Sequence, residues 1–292
     1  MTGADRARHP DRAGDVVRSG VRVHWESYGA HGPALLFLPT WSIVDARCWK
    51  LQIADFARRH RVIVFDPRGN GRSDRPADPA AYREPEFAAD ALAVLDATET
   101  AAAVVVGLSL GAQRALLLAA EHGDRCQGLV LVGPALRLGV PRSPERQAAP
   151  GFGTDTGGDE GWARYNAHSW RRDFAGFLEF FAEQVFPEPH STRHVEQFVA
   201  WGLETDPETL ITAEVPGLDE PTTRALCARV HCPVLVVHGG RDRIVPPAVG
   251  AEAARLLRGR LATLEGAGHC PQLREPVAFD RLLREFLATL GR

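Results

Sequence analysis

The chain has 292 residues, of which 45% are hydrophobic and 24% charged, with a formal net charge of -3. Such a chain is long enough for one large α/β domain with an inserted subdomain. It carries no basic footprint for nucleic acid and no apolar run long enough to span a bilayer, so neither nucleic acid nor membrane is an expected partner.

The N-terminal stretch from Met1 to Asp15 mixes Arg, Asp, Gly and His, lacks the apolar core of a signal peptide, and is expected to be a frayed tail. Residues 16–19 and 21–28 predict an opening hairpin that turns at Gly20. Residues 34–38 form a continuous apolar run stopped by Pro39, the pattern of a strand buried on both faces. A helix is expected over 49–59, a strand over 62–65, and a second helix over 85–97. Further strands are expected over 103–106, 128–132, 233–238 and 261–264, with helices over 112–122, 248–257 and 276–290. Strands alternating with helices indicate a mostly parallel central sheet with helices on both faces.

Residues 137–226 break this rhythm. They begin in a Pro/Gly-rich stretch that reads as a flexible connection and then become helix-like, carrying half of the chain's aromatic residues. Packing small helices onto a main domain accounts for most of those rings. A lid whose underside forms an apolar pocket is the sharper reading. The expected organisation is a core of residues 1–136 and 227–292 with a helical lid of residues 137–226.

Between the strand 103–106 and the helix 112–122 lies Gly107-Leu108-Ser109-Leu110-Gly111. A serine between two glycines at a strand-to-helix turn is pushed to the tip, because side chains at the flanking positions would collide with backbone. Its Oγ is then exposed beside the amides of a helix N-terminus. The bare motif is common by chance, and its setting makes it a nucleophile elbow rather than an ordinary tight turn.

A serine hydroxyl needs a base to remove its proton, and the base needs an acid to orient it. Asp242 follows the strand 233–238, and His269 follows the strand 261–264. In a parallel sheet such loops converge at the edge where ligands bind. The chain order Ser109, Asp242, His269 is that of an elbow nucleophile. Asp242 has a plainer alternative as a cap for the helix after Pro247, and His269 as a structural loop histidine. His238 reads as a buried hydrogen-bonding residue, and Asp66 and Arg68 as braces of the loop beside the site. Arg171 and Arg172 would suit a substrate carboxylate, although an exposed helical face is the commoner use of such a pair. Five scattered cysteines fit reduced thiols in the cytoplasm. Cys227 and Cys232 with His231 make a poor metal motif, and no metal site is expected.

Taken with Asp66-x-Arg68-Gly69-x-Gly71-x-Ser73, Gly240-Arg241-Asp242-x-Ile244-Val245-Pro246 and Gly268-His269, the elbow makes the chain resemble the α/β-hydrolase superfamily, in its serine-nucleophile branch with an inserted lid. The resemblance covers nearly all of the chain outside the lid. It implies an oxyanion hole built from the backbone amides of Trp41 and Leu110. Where that family usually carries His-Gly, this chain reads Pro39-Thr40 ahead of Trp41. Thr40 is therefore expected in a conformation that glycine reaches more cheaply, with the Trp41 indole at the pocket mouth. Thr40, Trp162, Trp170 and Phe177 are the side chains expected to touch substrate.

The expected activity is that of a serine hydrolase cleaving an ester, thioester or lactone with an apolar or aromatic acyl part. Ser109 attacks, His269 takes and returns the proton, Asp242 orients His269, and water releases the acyl-enzyme. This chemistry needs no metal or organic cofactor, and the partner is a small-molecule substrate. The same scaffold supports a carbon–carbon bond hydrolase, which Arg171 or Arg172 near the pocket would favour, or a biosynthetic cyclase or acyltransferase. A ligand-binding module is the non-enzymatic alternative, and binding alone requires none of the three residues.

Overall fold

The computed structural model of the chain describes residues 8–155 and 157–291. Eight strands form a sheet: β1 (Arg12–Arg18), β2 (Val21–Tyr28), β3 (Ala34–Leu38), β4 (Arg61–Phe65), β5 (Ala103–Leu108), β6 (Cys126–Val132), β7 (Val234–Gly239) and β8 (Arg260–Leu264). Their order is β1-β2-β4-β3-β5-β6-β7-β8. The first two strands run antiparallel to their neighbours, and the pairs from β4 to β8 are all parallel. Every residue of β3, β5 and β7 is buried, as a parallel strand covered on both faces requires.

The helices α1 (Lys50–Phe56), α2 (Glu84–Ala97) and α3 (Leu110–Glu121) alternate with the strands. Six more lie between β6 and β7: α4 (Pro144–Gln147), α5 (Ala167–Arg172), α6 (Phe174–Val185), α7 (Thr192–Gly202), α8 (Pro207–Thr212) and α9 (Glu220–Arg229). The chain closes with α10 (Pro247–Leu256), α11 (Pro271–Arg274) and α12 (Pro276–Leu290). One face of the sheet carries α2, α3, α9 and α10, which pack on one another, and the other carries α1, α11 and α12. Helix α12 shows why it docks there: Phe279, Leu282, Leu283 and Phe286 recur at helical spacing and are all buried. Each such side chain contributes roughly 1.5–3 kcal/mol when fully removed from water.

Two expectations need correction. The polar residues 12–15 are the first half of β1, not a tail; paired only to β2 at the sheet edge, that strand alternates exposed and half-buried side chains and needs no apolar run. Residues 1–7 of the expected tail lie outside the described residues. The first helix is shorter than 49–59, because residues 46–49 wind as a 3₁₀ turn capped by the Asp45 carboxylate and the helix ends at Phe56. Helix α9 runs across the expected boundary at 226/227 and packs on α3 and α10.

Candidate active site

The strand β5 delivers Ser109 to a turn that its neighbours force into one shape. Ser109 has φ 56° and ψ -117°, a conformation that costs a non-glycine residue on the order of 1–3 kcal/mol. The surroundings hold it there: its N–H donates to the Val132 carbonyl at 2.9 Å, and its carbonyl accepts from Ala112 at 3.0 Å and Ala135 at 3.1 Å. A Cβ on Gly107 would lie 2.2 Å from the Gly111 carbonyl oxygen, and one on Gly111 would lie 2.6 Å from that of Pro39. Both glycines are therefore steric necessities of the turn.

The loop after β7 carries Asp242 and the loop after β8 carries His269. The Asp242 Oδ2 lies 2.8 Å from His269 Nδ1, and Oδ1 accepts from the N–H groups of Ile244 at 2.8 Å and Val245 at 2.9 Å. A fourth donor was not marked as part of the site by sequence: His238 Nε2 lies 3.1 Å from both Asp242 Oδ2 and the Val245 carbonyl. Both neighbours of that nitrogen are acceptors, so Nε2 carries the proton. Burial alone would raise the Asp242 carboxyl, but the charge of His269 and the bonds from both imidazoles outweigh it and hold the group well below the usual carboxylate range. With its Nδ1–H given to Asp242, His269 has Nε2 left for proton transfer. Helix α10 is capped by Pro246 without a side-chain bond, so Asp242 is not its cap.

The segment between β6 and β7 also grips the His269 loop. The His269 N–H donates to the Val185 carbonyl at 3.0 Å, and the Gly268 N–H donates to Glu188 Oε1 at 2.6 Å.

After β3, the stretch Pro39-Thr40-Trp41-Ser42 is tied down on three sides. The buried Arg114 pairs with Glu84 at 2.9 Å and donates to the Thr40 carbonyl at 2.5 Å. Ser42 Oγ donates to the Arg68 carbonyl at 2.7 Å, and Asn70 Nδ2 donates to the Ser42 carbonyl at 2.9 Å. Arg68 is fixed in turn by a buried ion pair with Asp90, and Asp66 accepts from the N–H groups of Ala46 and Arg72. Thr40 does not have a positive φ, so the strain expected from replacing glycine is absent. Among the described residues, neither the Trp41 nor the Leu110 N–H donates to a backbone carbonyl.

Two cavities meet at Ser109. One, of about 40 Å³, is almost wholly apolar and is lined by Thr40, Trp41, Phe181, Val185 and Trp201 together with Ser109 and His269. The other, of about 280 Å³, is lined by Trp41, Leu110, Gln113, Arg146, Tyr165 and Glu214 beside Ser109. The Trp41 indole is a wall of both rather than a lip at the mouth: it is 7% exposed and packs against Tyr165, Trp170, Phe177 and Phe181 at ring separations of 5.5–6.4 Å. Of the expected substrate contacts, Thr40 lines the smaller cavity. Trp162, Trp170 and Phe177 line neither of these two and pack among the aromatic rings behind them. Phe181, one turn further along α6 than Phe177, and Tyr165 take their places. Arg171 pairs with Glu208, and Arg172 with Asp155 and Asp159, on exposed surface. Cys232 stands 3.7 Å from Cys126 sulfur to sulfur, and all five cysteines are free thiols.

Residues 30–282 match the model of the alpha/beta hydrolase family. The chain belongs to that family and is a hydrolase. It is 29% identical over 285 residues to the 2-hydroxymuconate semialdehyde hydrolase of Pseudomonas sp. (strain CF600), with 96% of this chain and 95% of that one covered. To a pimeloyl-(acyl-carrier protein) methyl ester esterase of Neisseria meningitidis serogroup B it is 32% identical over 231 residues, covering 77% and 82%. A solved esterase structure from Rhodococcus sp. ECU1013 superposes with a TM-score of 0.79 at 26% identity, covering 96% and 99%. Among the described residues no helix is long and apolar enough to cross a membrane.

Proposed function

We propose that the protein cleaves an ester, thioester or lactone through an acyl-enzyme on Ser109. The observation that carries this reading is the His269–Asp242 contact of 2.8 Å, facing the same cavity as a serine held in a strained turn. His269 Nε2 removes the Ser109 proton as Oγ attacks the carbonyl, and returns it to the leaving group. Asp242 keeps the imidazole in the required tautomer and stabilises it when charged. The N–H groups of Trp41 and Leu110 receive the developing oxyanion, each contributing roughly 3 kcal/mol to the transition state. Water then follows the same route to release the acid. No step calls for a metal or organic cofactor. The acyl part sits in the small apolar cavity, whose walls are aromatic and aliphatic.

The helices of residues 137–226 act in this reading as a lid: they supply Phe181 and Tyr165 to the cavities and hold the His269 loop from above. Free thiols at all five cysteines fit a reducing compartment such as the cytoplasm. The test is stopped-flow hydrolysis of short and medium p-nitrophenyl esters. A burst of p-nitrophenol equal to the enzyme concentration is expected, and release no faster than with Ser109→Ala contradicts the reading.

A further inference from the structure

The larger cavity beside Ser109 contains a buried donor without an acceptor. Gln113, on α3 one turn beyond Ser109, is 2% exposed, and its Nε2 has no hydrogen-bond partner. A buried amide nitrogen is seldom left so unless something else is meant to meet it. Arg146, on α4, lines the same cavity with its guanidinium 4.5 Å from the centre of the Trp162 ring and 5.9 Å from that of Tyr165. Its Nη1 donates to the Ile244 carbonyl at 2.5 Å, and among the described residues no carboxylate pairs with it. Of the acids lining the cavity, Glu84 pairs with Arg114 at 2.9 Å, and Glu214 Oε1 accepts the Tyr165 hydroxyl at 2.9 Å while burial pushes its carboxyl up, towards the neutral form. Arg137 and Arg142 line it too and add to its positive character.

A guanidinium whose plane is set by aromatic neighbours presents a rigid fork, the shape that receives two carboxylate oxygens. We infer that the larger cavity selects substrates bearing a carboxylate, held by Arg146 with the Gln113 side-chain amide as a second donor. The inference rests on the hydrolase reading, since it is the cavity's opening onto Ser109 that makes its occupant a substrate. The scissile bond and the anion then belong to one small molecule that spans from Ser109 to α4. The exposed pair Arg171 and Arg172 takes no part, since both are spent on surface ion pairs.

Two probes that differ only in the anion test this on the intact protein: 4-hydroxybenzoate and 4-hydroxybenzamide, titrated by calorimetry without any turnover. The benzoate is expected to bind at least tenfold more tightly than the amide. That preference is expected to fall at least tenfold in Arg146→Gln and by less in Arg146→Lys, which keeps the charge but loses the fork. Equal affinities in the wild-type protein, or no binding of either probe, overturn the inference without recourse to a variant that could misfold. In a second arm, kcat/KM for 4-acetoxybenzoate is divided by that for its methyl ester, and the ratio is expected to fall at least tenfold in Arg146→Gln. Hydrolysis of both esters with one ratio in wild type and variant overturns the anion site and leaves the hydrolase standing. Arg146-dependent benzoate binding with neither ester cleaved supports the anion site and removes the acyl-enzyme reading.

Discussion

Asp66 and Asp242 are both buried in loops at the C-terminal edge of the sheet, one after β4 and the other after β7. Their acidities diverge. Asp242 meets two imidazoles and two backbone N–H groups, and is held ionised. Asp66 meets two backbone N–H groups, and burial reinforced by the nearby Asp45 charge pushes its carboxyl up to about 7. A place at the functional edge therefore does not make an acid catalytic. Its partners do: an aspartate supplied with histidines can orient a base, whereas one supplied only with backbone amides ties a loop together. The two also act on stability with opposite sign. The Asp242 contribution is present above the ordinary carboxyl value of 3.8 and is lost as pH falls through its depressed folded value. The Asp66 contribution is present below 3.8 and is lost as pH rises towards and past about 7.

The sharpest way to test this contrast is Asp242→Asn, which keeps the shape and removes the charge. Turnover is expected to fall on the order of 10⁴ with folding intact, because the amide favours the wrong imidazole tautomer. Activity within tenfold of wild type would put another acid behind His269.

Trp41→Ala separates backbone from ring. Emptying a buried indole site is expected to cost about 3–5 kcal/mol of stability, read by denaturant unfolding. The ratio of kcat/KM for bulky against short acyl groups is expected to shift by an amount equivalent to roughly 1–3 kcal/mol, since the ring walls both cavities. An unchanged ratio with lowered stability would make Trp41 a core residue and nothing more.

His238→Phe removes one donor from Asp242. A loss of about 1.5–3 kcal/mol in stability is expected, the usual worth of a hydrogen bond to a charged group, together with a smaller fall in turnover than Asp242→Asn produces. Wild-type melting would show that His238 contributes no net hydrogen bond to Asp242.

The smallest effect is expected at Asp66. Turnover of Asp66→Asn should match wild type, while its melting temperature should decline less between pH 5 and pH 8 than that of wild type. Parallel pH profiles for the two proteins would mean that Asp66 is ionised throughout.

Much of the fold was legible because apolar runs and helical apolar spacings bounded by proline or glycine have few other uses. The strand Ala34–Leu38 and the helix Pro276–Leu290 end where Pro39 and the Pro276 start signal place them. The polar residues 12–15 escaped, since an edge strand exposed to water needs no apolar pattern. Which loops meet at the sheet edge was also readable, as parallel strands send their C-terminal ends to one side. The cavity walls were not. Arg146 lies in a stretch whose prolines and glycines read as a mere connection, yet it lines the cavity beside Ser109. Phe181 rather than Phe177 reaches the cavities because it lies one turn nearer the end of α6 that meets the His269 loop, a tertiary placement that one helix's periodicity does not encode. His238 was visible as a buried hydrogen-bonding residue, but its attachment to Asp242 depends on the return of the chain after β7.

The proposed chemistry depends on Ser109 as an activated nucleophile. Incubating the protein with a fluorophosphonate probe and mapping the adduct by mass spectrometry tests it most directly. Stoichiometric modification at Ser109, greatly slowed in Asp242→Asn and absent in Ser109→Ala, is the result expected. Equal labelling of wild type and Ser109→Ala, or an adduct on another residue, would remove Ser109 as the nucleophile.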